Sequence, residues 1–211
     1  MNELFSLYEQ LLKHYGKQNW WPADNREEVI IGAILTQNTN WSNVIRALDN
    51  LKQENLCTLN KLSQQPAETI APLIKSAGYY NVKAARLKNI AEQLKDWSPE
   101  NLPIQEARAF LLNLKGIGNE TADSILLYAY QIPVFVIDAY TVRLLGRVKR
   151  VPTDNRYEYY QNYFMDGLPL DHSLYNEYHA LIVKHCKAFC RVKPICRDCP
   201  LNKSCISKIL E

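Results

Sequence analysis

The stretch Leu114-Lys115-Gly116-Ile117-Gly118-Asn119-Glu120-Thr121-Ala122 decides the fold. It lies between two segments of helical periodicity, residues 105–114 and 119–130. Two glycines around one apolar residue allow a tight turn in which Ile117 points inward and backbone N–H groups point outward. Such N–H groups at the start of a helix form a site for an anion such as a phosphate. Because similar turns join ordinary helix pairs, the hairpin alone leaves both interpretations open.

Helical periodicity covers most of the remaining chain. Apolar stripes predict four further helices, over residues 25–37, 43–53, 80–95 and 174–187. Asp24 is expected to cap the first of them. The β-branched run 132–137 contains Pro133 and has no alternating partner strand, so we interpret it as a buried connector. The sequence therefore predicts an all-α fold.

The composition excludes several classes of protein. Of 211 residues, 47% are hydrophobic and 22% are charged, which is typical of a folded chain and excludes low-complexity disorder. No apolar run approaches the roughly 18 residues of a membrane helix. The N-terminal residues do not resemble a signal peptide. We therefore expect a soluble, intracellular and cytoplasmic protein with no membrane partner.

Charge and cysteine are both concentrated at the C-terminal end. The net charge is only +3, but residues 184–211 hold seven Lys or Arg and two acids. A short basic segment of this kind is either a nucleic-acid surface or a solvated face. Five of the six cysteines fall in the same segment. A disulfide framework would need an oxidising compartment, so these cysteines are interpreted as metal ligands.

The cysteine spacing indicates the kind of metal site. It reads Cys190-x5-Cys196-x2-Cys199-x5-Cys205. Structural zinc usually takes two pairs separated by a longer loop, whereas four thiolates this close can surround an iron–sulfur cluster. Cys186 lies one helical turn before Cys190 and is interpreted as a small buried residue. The spacing favours a cluster, with zinc as the alternative.

Several motifs together resemble one enzyme family. The hairpin, the helix after it, the apolar run and Asp138 resemble the helix-hairpin-helix, Gly/Pro-rich, Asp signature of the endonuclease III superfamily of DNA glycosylases. Residues 78–84 resemble another recurrent segment of that family. The cysteine tail resembles its iron–sulfur loop, with a first gap of five residues where six is common.

The resemblance implies a two-lobed all-α fold with a 4Fe-4S cluster. A six-helix lobe with the hairpin would cover residues 21–132. The second lobe would combine residues 1–20 with 133–211, and its cluster loop would span residues 186–205. The implied partner is double-stranded DNA with damaged bases, and the implied oligomeric state is a monomer. If the source is bacterial, the protein would be associated with the nucleoid.

The resemblance also implies roles for individual residues. The target base would flip into the cleft between the lobes. Asp138 would be the catalytic carboxylate, which stabilises positive charge on the sugar and orients or activates the attacking water. Asn38 would fill the gap left by the base, with Gln37 adjacent, and Tyr79 would form the wedge on the opposite strand. The hairpin residues expected to bind DNA are Lys115, Gly116, Ile117, Gly118 and Thr121.

The chain departs from the bifunctional members of the family at Glu120. Those members carry a lysine at this point, and its amine forms a Schiff base with the sugar before strand cleavage. A carboxylate cannot form an imine. Lys115 is the nearest lysine in sequence, but it precedes the hairpin glycines. We therefore predict a monofunctional glycosylase without AP lyase activity.

Aromatic residues near the expected base pocket suggest the substrate. Trp20-Trp21-Pro22 and Trp41 resemble the 3-methyladenine, MagIII-type branch, although a cluster-free member of that branch lacks the cysteines kept here. Indole faces attract a cationic alkylated base by roughly 1–2 kcal/mol. The Glu120 carboxylate would add selectivity for a positively charged base. Lys187 roughly matches a lysine that the branch places near the pocket. The alternative for each tryptophan is ordinary core packing.

The expected function is therefore excision of alkylated purines, chiefly 3-methyladenine. One alternative is a glycosylase for oxidised pyrimidines or for mismatched thymine or adenine. Others are a non-catalytic DNA-binding iron–sulfur module and a zinc-bearing structural protein. Asp138 argues against a binding module, because binding alone has no use for a carboxylate that faces phosphates.

Overall fold

The computed structural model describes residues 3–149, 151 and 156–207, and all regular secondary structure in these residues is helical. This confirms the predicted all-α class. The α-helices found there are α1 (Glu3–Tyr15), α2 (Arg26–Leu35), α3 (Trp41–Gln53), α4 (Leu59–Gln64), α5 (Ala67–Leu73), α6 (Tyr80–Leu94), α7 (Ile104–Leu112), α8 (Asn119–Ser124), α9 (Ala139–Val148), α10 (Tyr157–Gly167) and α11 (His172–Ala188). A 3-10 turn, Lys75–Ala77, precedes α6, and a π-helical turn, Ile125–Ala129, follows α8. Within the described residues, no helix has the length and apolar character needed to span a membrane.

The chain divides into two compact units. One consists of Pro22–Ile132, and the other combines Met1–Trp21 with Pro133–Glu211. The first unit, whose residues are all described, contains α2–α8, which is seven α-helices where six were expected. The periodicity did not predict α4 and α5, because they have only six and seven residues. Pro66 separates them and holds Gln65 in an extended conformation.

The unit Pro22–Ile132 is built around α2. This helix is buried from Glu28 to Leu35, as expected for a helix that is apolar on nearly all sides, and it packs against α3, α6 and the π-helical turn. The expected cap at Asp24 was wrong. Asn25 caps the helix by accepting a hydrogen bond from the Glu28 N–H at 3.0 Å. Asp24 instead pairs with Lys52 at 2.9 Å.

The other unit has an aromatic core. Phe135 stacks on Phe164 with ring centroids 3.9 Å apart, and both rings meet Tyr178 edge-on. The Tyr178 hydroxyl donates a hydrogen bond to the Leu4 carbonyl at 2.8 Å, which ties α11 to α1. Residues 134–137 are almost fully buried and form no strand, so the predicted buried connector is confirmed.

Candidate functional site

Asp138 stands where the buried connector meets α9, and it is the N-cap of that helix. Its Oδ1 accepts hydrogen bonds from the Thr141 N–H at 2.7 Å and from the Thr141 hydroxyl at 2.8 Å. Both bonds use the same oxygen, so the capping interaction leaves Oδ2 for other partners.

The connector that delivers Asp138 is held by α10. Gln161 donates a side-chain hydrogen bond to the Phe135 carbonyl at 2.8 Å. The Ile137 N–H donates to the Tyr157 hydroxyl at 3.1 Å. These bonds satisfy backbone groups that the connector cannot pair within a helix or sheet. They fix the backbone on the N-terminal side of Asp138, while Thr141 fixes its side chain.

His179 of α11 is a neighbour of Asp138 that the sequence analysis missed. Its Nε2 lies 3.5 Å from Asp138 Oδ2, and its side chain is only 8% exposed. Burial by itself would raise the pKa of Asp138, but the charge and hydrogen bonding of His179, together with Thr141, hold that pKa below its ordinary value. Asp138 is therefore an ionised carboxylate at neutral pH.

The hairpin between α7 and α8 has the geometry expected from its two glycines. Ile117 is buried, as predicted. Gly116 has φ +98°, a conformation that favours glycine, and a Cβ there would lie 2.7 Å from Cδ of Arg86, whose side chain would have to shift. Gly118 has φ −103°, a conformation open to any residue, and a Cβ there would meet nothing within 4 Å. The glycine at 118 is thus not needed for the turn, and its lack of a side chain leaves room for a partner to approach the backbone.

Gln37, in the turn directly after α2, supports the hairpin. Its side-chain amide donates hydrogen bonds to the Gly116 carbonyl at 2.9 Å and to the Thr121 hydroxyl at 3.1 Å. The structure thus brings together Gln37, Gly116 and Thr121, three of the residues expected to bind DNA. Lys115 and Glu120, on either side of the glycines, are exposed.

A buried ion pair braces the helices on both sides of the hairpin. Arg108 of α7 pairs with Asp123 of α8 at 2.8 Å, and Asp123 has no exposed surface. Arg108 also donates to the Asn119 side chain at 3.0 Å. Removing one partner would leave a buried charge, so this pair constrains how α7 and α8 meet.

Asn38 and Tyr79 share an unusual geometry. Asn38 has φ +54° and Tyr79 has φ +46°, both in the left-handed region that non-glycine residues seldom occupy. Asn38 is exposed, and the Tyr79 ring is 76% exposed. Large side chains held outward in this way are suited to contact a partner.

The expected base-pocket residues lie in both units. Trp20 and Trp21 pack edge to face with ring centroids 5.7 Å apart, and their indole nitrogens are buried. Trp41 is the first residue of α3 and is half-buried. Lys187 is exposed in the last turn of α11.

The four predicted metal ligands line one pocket. Cys190, Cys196, Cys199 and Cys205 all face a small cavity of about 30 Å³ beyond the end of α11. Within the described part of the chain, no three Cys, His, Asp or Glu side chains are close enough to hold a metal ion. Four cysteine thiols are the donor set that an iron–sulfur cluster takes.

Basic side chains surround this cysteine pocket. Arg147 donates to the Cys190 sulfur at 3.4 Å and to the Val192 carbonyl at 3.0 Å, and Arg143 donates to the Cys190 carbonyl at 2.8 Å. The neighbouring Cys186 thiol and the two arginines hold the pKa of Cys190 below its ordinary value against the effect of burial. Cys186 is itself buried and does not line the pocket, as expected.

The family model and the relative that match this chain are both described as DNA repair proteins. The family model for HhH-GPD superfamily base excision DNA repair proteins matches residues 31–170. A Methanocaldococcus jannaschii protein named as a DNA repair glycosylase is 45% identical over 215 aligned residues, which cover 97% of this chain and 96% of the relative.

Two solved structures are also similar. The H. pylori 3-methyladenine DNA glycosylase MagIII, bound to 1,N6-ethenoadenine, is 33% identical with a TM-score of 0.73, over 88% of this chain and 94% of that chain. A non-covalent endonuclease III–DNA complex has a TM-score of 0.82 at 21% identity, over 97% of this chain and 94% of that chain, and shows the shared fold.

Proposed function

We propose that this chain, which belongs to the HhH-GPD superfamily of base excision DNA repair proteins, is a monofunctional DNA glycosylase that releases alkylated purines, chiefly 3-methyladenine, from duplex DNA. The similarity that carries the substrate assignment is the 33% identity with a 3-methyladenine DNA glycosylase. The endonuclease III structure superposes with a higher TM-score but is only 21% identical. Sequence likeness, which reflects pocket residues as well as the backbone, supports the alkylpurine assignment.

Asp138 is the proposed catalytic carboxylate. Because Thr141 uses Oδ1, Oδ2, which lies 3.5 Å from His179 Nε2, is the oxygen proposed to face developing positive charge on the sugar or to orient the attacking water. The low pKa of Asp138 keeps this charge in place at neutral pH. A base alkylated at a ring nitrogen is cationic and leaves readily, so its release needs little help from a general acid.

Glu120 supports the absence of AP lyase activity. It occupies the second position of α8, where its carboxylate is also favourable near the helix N-terminus. A carboxylate forms no Schiff base with the sugar, so the abasic site would remain uncleaved. The exposed Lys115 precedes the glycines, on the opposite side of the turn from Glu120.

Tryptophan and lysine side chains are the proposed base-recognition residues. Trp20 and Trp21 are adjacent in sequence and meet edge to face, and one of the two is proposed to stack on the flipped base. Trp41 begins α3, which also places an aromatic ring at a helix end. A cationic purine gains from such faces through cation–π attraction. Glu120 and Lys187 are proposed to contribute charge selectivity.

The hairpin is the proposed site for a DNA phosphate. The open space beyond Gly118 allows a phosphate to approach the first N–H groups of α8, which have no acceptor within the helix. Asn38 and Tyr79 are proposed to enter the duplex. Asn38 would take the place of the flipped base, and Tyr79 would form the wedge on the opposite strand. The Gln37 side chain stabilises the hairpin through its hydrogen bonds to the Gly116 carbonyl and the Thr121 hydroxyl.

The four-cysteine pocket is the proposed site of a 4Fe-4S cluster. Cys190, Cys196, Cys199 and Cys205 would hold it, and Arg147 beside Cys190 would offset the negative charge of the thiolates. When bound, the cluster would cross-link the loop through four iron–sulfur bonds. The basic residues of that loop would then be fixed for phosphate contact. Zinc remains the alternative that metal analysis would separate.

A panel of oligonucleotide duplexes, each with one lesion, tests the proposal. Each product is divided and analysed with and without alkali, which cleaves abasic sites. We expect cleavage only after alkali, greatest with 3-methyladenine, and no covalent adduct on borohydride treatment. Alkali-independent cleavage, an efficient borohydride adduct, or preference for thymine glycol would contradict the proposal.

A further inference from the structure

Lys83 is a buried lysine whose three ammonium protons are all used. It lies in the first turn of α6 and is only 4% exposed. Its Nζ donates hydrogen bonds to the carbonyls of Leu35 at 2.9 Å, Gln37 at 2.8 Å and Ala77 at 2.7 Å. An ammonium group has three donors, so each proton has its own carbonyl.

These three carbonyls belong to two separate loops. Leu35 ends α2, and Gln37 directly precedes Asn38. Ala77 ends the 3-10 turn and is followed by Gly78 and Tyr79. Lys83 therefore ties together the backbones of the loops that carry Asn38 and Tyr79.

Both loops adopt conformations that need such support. Asn38 and Tyr79 are in the left-handed region, which asparagine tolerates better than most residues but which is strained for a bulky residue such as tyrosine. Residues of this kind keep their conformation only when the surrounding structure holds them. The ammonium bonds begin at the residue before Asn38 and two residues before Tyr79, which is where that support is required.

Burying a charge at this point is costly. Burial, with a smaller contribution from Arg86, lowers the pKa of Lys83. An apolar side chain would fill the same space without this cost, but it would leave three buried carbonyls without their donors. The lysine is thus explained by what it binds and not by packing.

We propose that Lys83 is a positioning residue that fixes Asn38 and Tyr79 relative to each other, so that both side chains enter the DNA duplex together. This inference rests on the proposed function, because it needs a duplex to open and a base to leave it. Lys83 touches neither DNA nor the base in this account. It acts only through the two loops.

The test compares two substrates that differ in the need for duplex opening. One is a duplex with paired 3-methyladenine, and the other carries the same lesion opposite an abasic site, where no partner base has to be displaced. For Lys83→Met we expect single-turnover base release from the paired substrate to fall by about 10²-fold, because a misplaced positioning element has costs of this size. Release from the second substrate should stay within about threefold of that of the unaltered protein.

Two further measurements separate positioning from general damage. Fluorescence of 2-aminopurine next to the lesion reports unstacking, and we expect the signal of the unaltered protein to be lost in Lys83→Met. Lys88→Met removes a charge from the same helix and should match the unaltered protein on both substrates. If Lys83→Met does not fold, Lys83→Arg, which keeps the charge but changes the donor geometry, takes its place.

A double-mutant cycle completes the test. In a protein that already carries Asn38→Ala and Tyr79→Ala, the Lys83 variant should cause no further loss, because a residue that acts through others has no effect without them. An equal loss on both substrates, or a full additional loss in that background, would overturn the positioning role. No base release by the unaltered protein would instead overturn the proposed function.

Discussion

Asp138→Asn is the substitution that best separates the structural and the chemical role of this residue. Asparagine keeps the shape and a side-chain oxygen, and it caps helices as well as aspartate does. The bonds from the Thr141 N–H and hydroxyl can therefore persist. Only the negative charge is removed. If the substitution changed the free energy of unfolding by about 1 kcal/mol, the melting temperature would move by about 2–4 °C in a chain of this size.

The expected effect on base release is much larger. A carboxylate about 4 Å from a sugar cation gains about 4 kcal/mol at an effective dielectric constant of about 20. Losing that energy from the transition state slows the reaction by about 10³-fold. Removal of one preorganised electrostatic group from other active sites has costs of about 10²–10³-fold, which agrees with this size.

The assay measures single-turnover release of 3-methyladenine and, separately, binding to duplex DNA by fluorescence anisotropy. Asp171→Asn is the matched control, since Asp171 caps α11 in the same unit through the Ser173 and Leu174 N–H groups. We expect unchanged DNA binding for both variants and slow release for Asp138→Asn alone. Release within tenfold of the unaltered rate would refute the catalytic role of Asp138.

Three further predictions concern other parts of the site. In His179→Gln, the histidine no longer opposes the effect of burial, so the pKa of Asp138 rises. Base release should therefore fall off at a higher pH than in the unaltered protein when the solution is acidified. An acid limb of the pH–rate profile that does not move would contradict this. Gly118→Ala should fold normally but bind duplex DNA more weakly in anisotropy titrations, because its methyl group enters the open space beyond the hairpin; unchanged affinity would argue against a phosphate there. Cys199→Ala should give colourless, poorly soluble protein, whereas Cys186→Ala keeps the visible absorption of a cluster; stoichiometric zinc without iron in the unaltered protein would exclude the cluster.

Apolar stripes predicted six of the described helices, but they did not single out α1, α9 and α10, which have 13, 10 and 11 residues. The stripe over residues 174–187 corresponds to α11, and the stripe over 119–130 corresponds to α8 with the π-helical turn that continues it. Periodicity cannot distinguish the π-helical turn, because its side chains are buried on all sides. The short α4 was missed for the opposite reason, since six residues span fewer than two turns.

The candidate site was only partly predictable. Asp138 was singled out because the hairpin, the helix after it, the apolar run and this carboxylate together resemble a family signature, whereas the carboxylate alone would be interpreted as a helix N-cap. His179 and Lys83 were not found in this way, because most of their partners lie far along the chain and each sits inside an apolar helix face. A polar residue within an apolar stripe was the available signal for both.

The most direct test of the substrate assignment is the identity of the released base. DNA treated with a methylating agent is incubated with the purified protein, and the soluble fraction is separated by chromatography against standards of each methylated base. We predict that 3-methyladenine is released and that the Asp138→Asn protein releases almost none. If no methylated purine leaves the DNA while the same protein releases thymine glycol or a mismatched base from other substrates, the assignment is wrong.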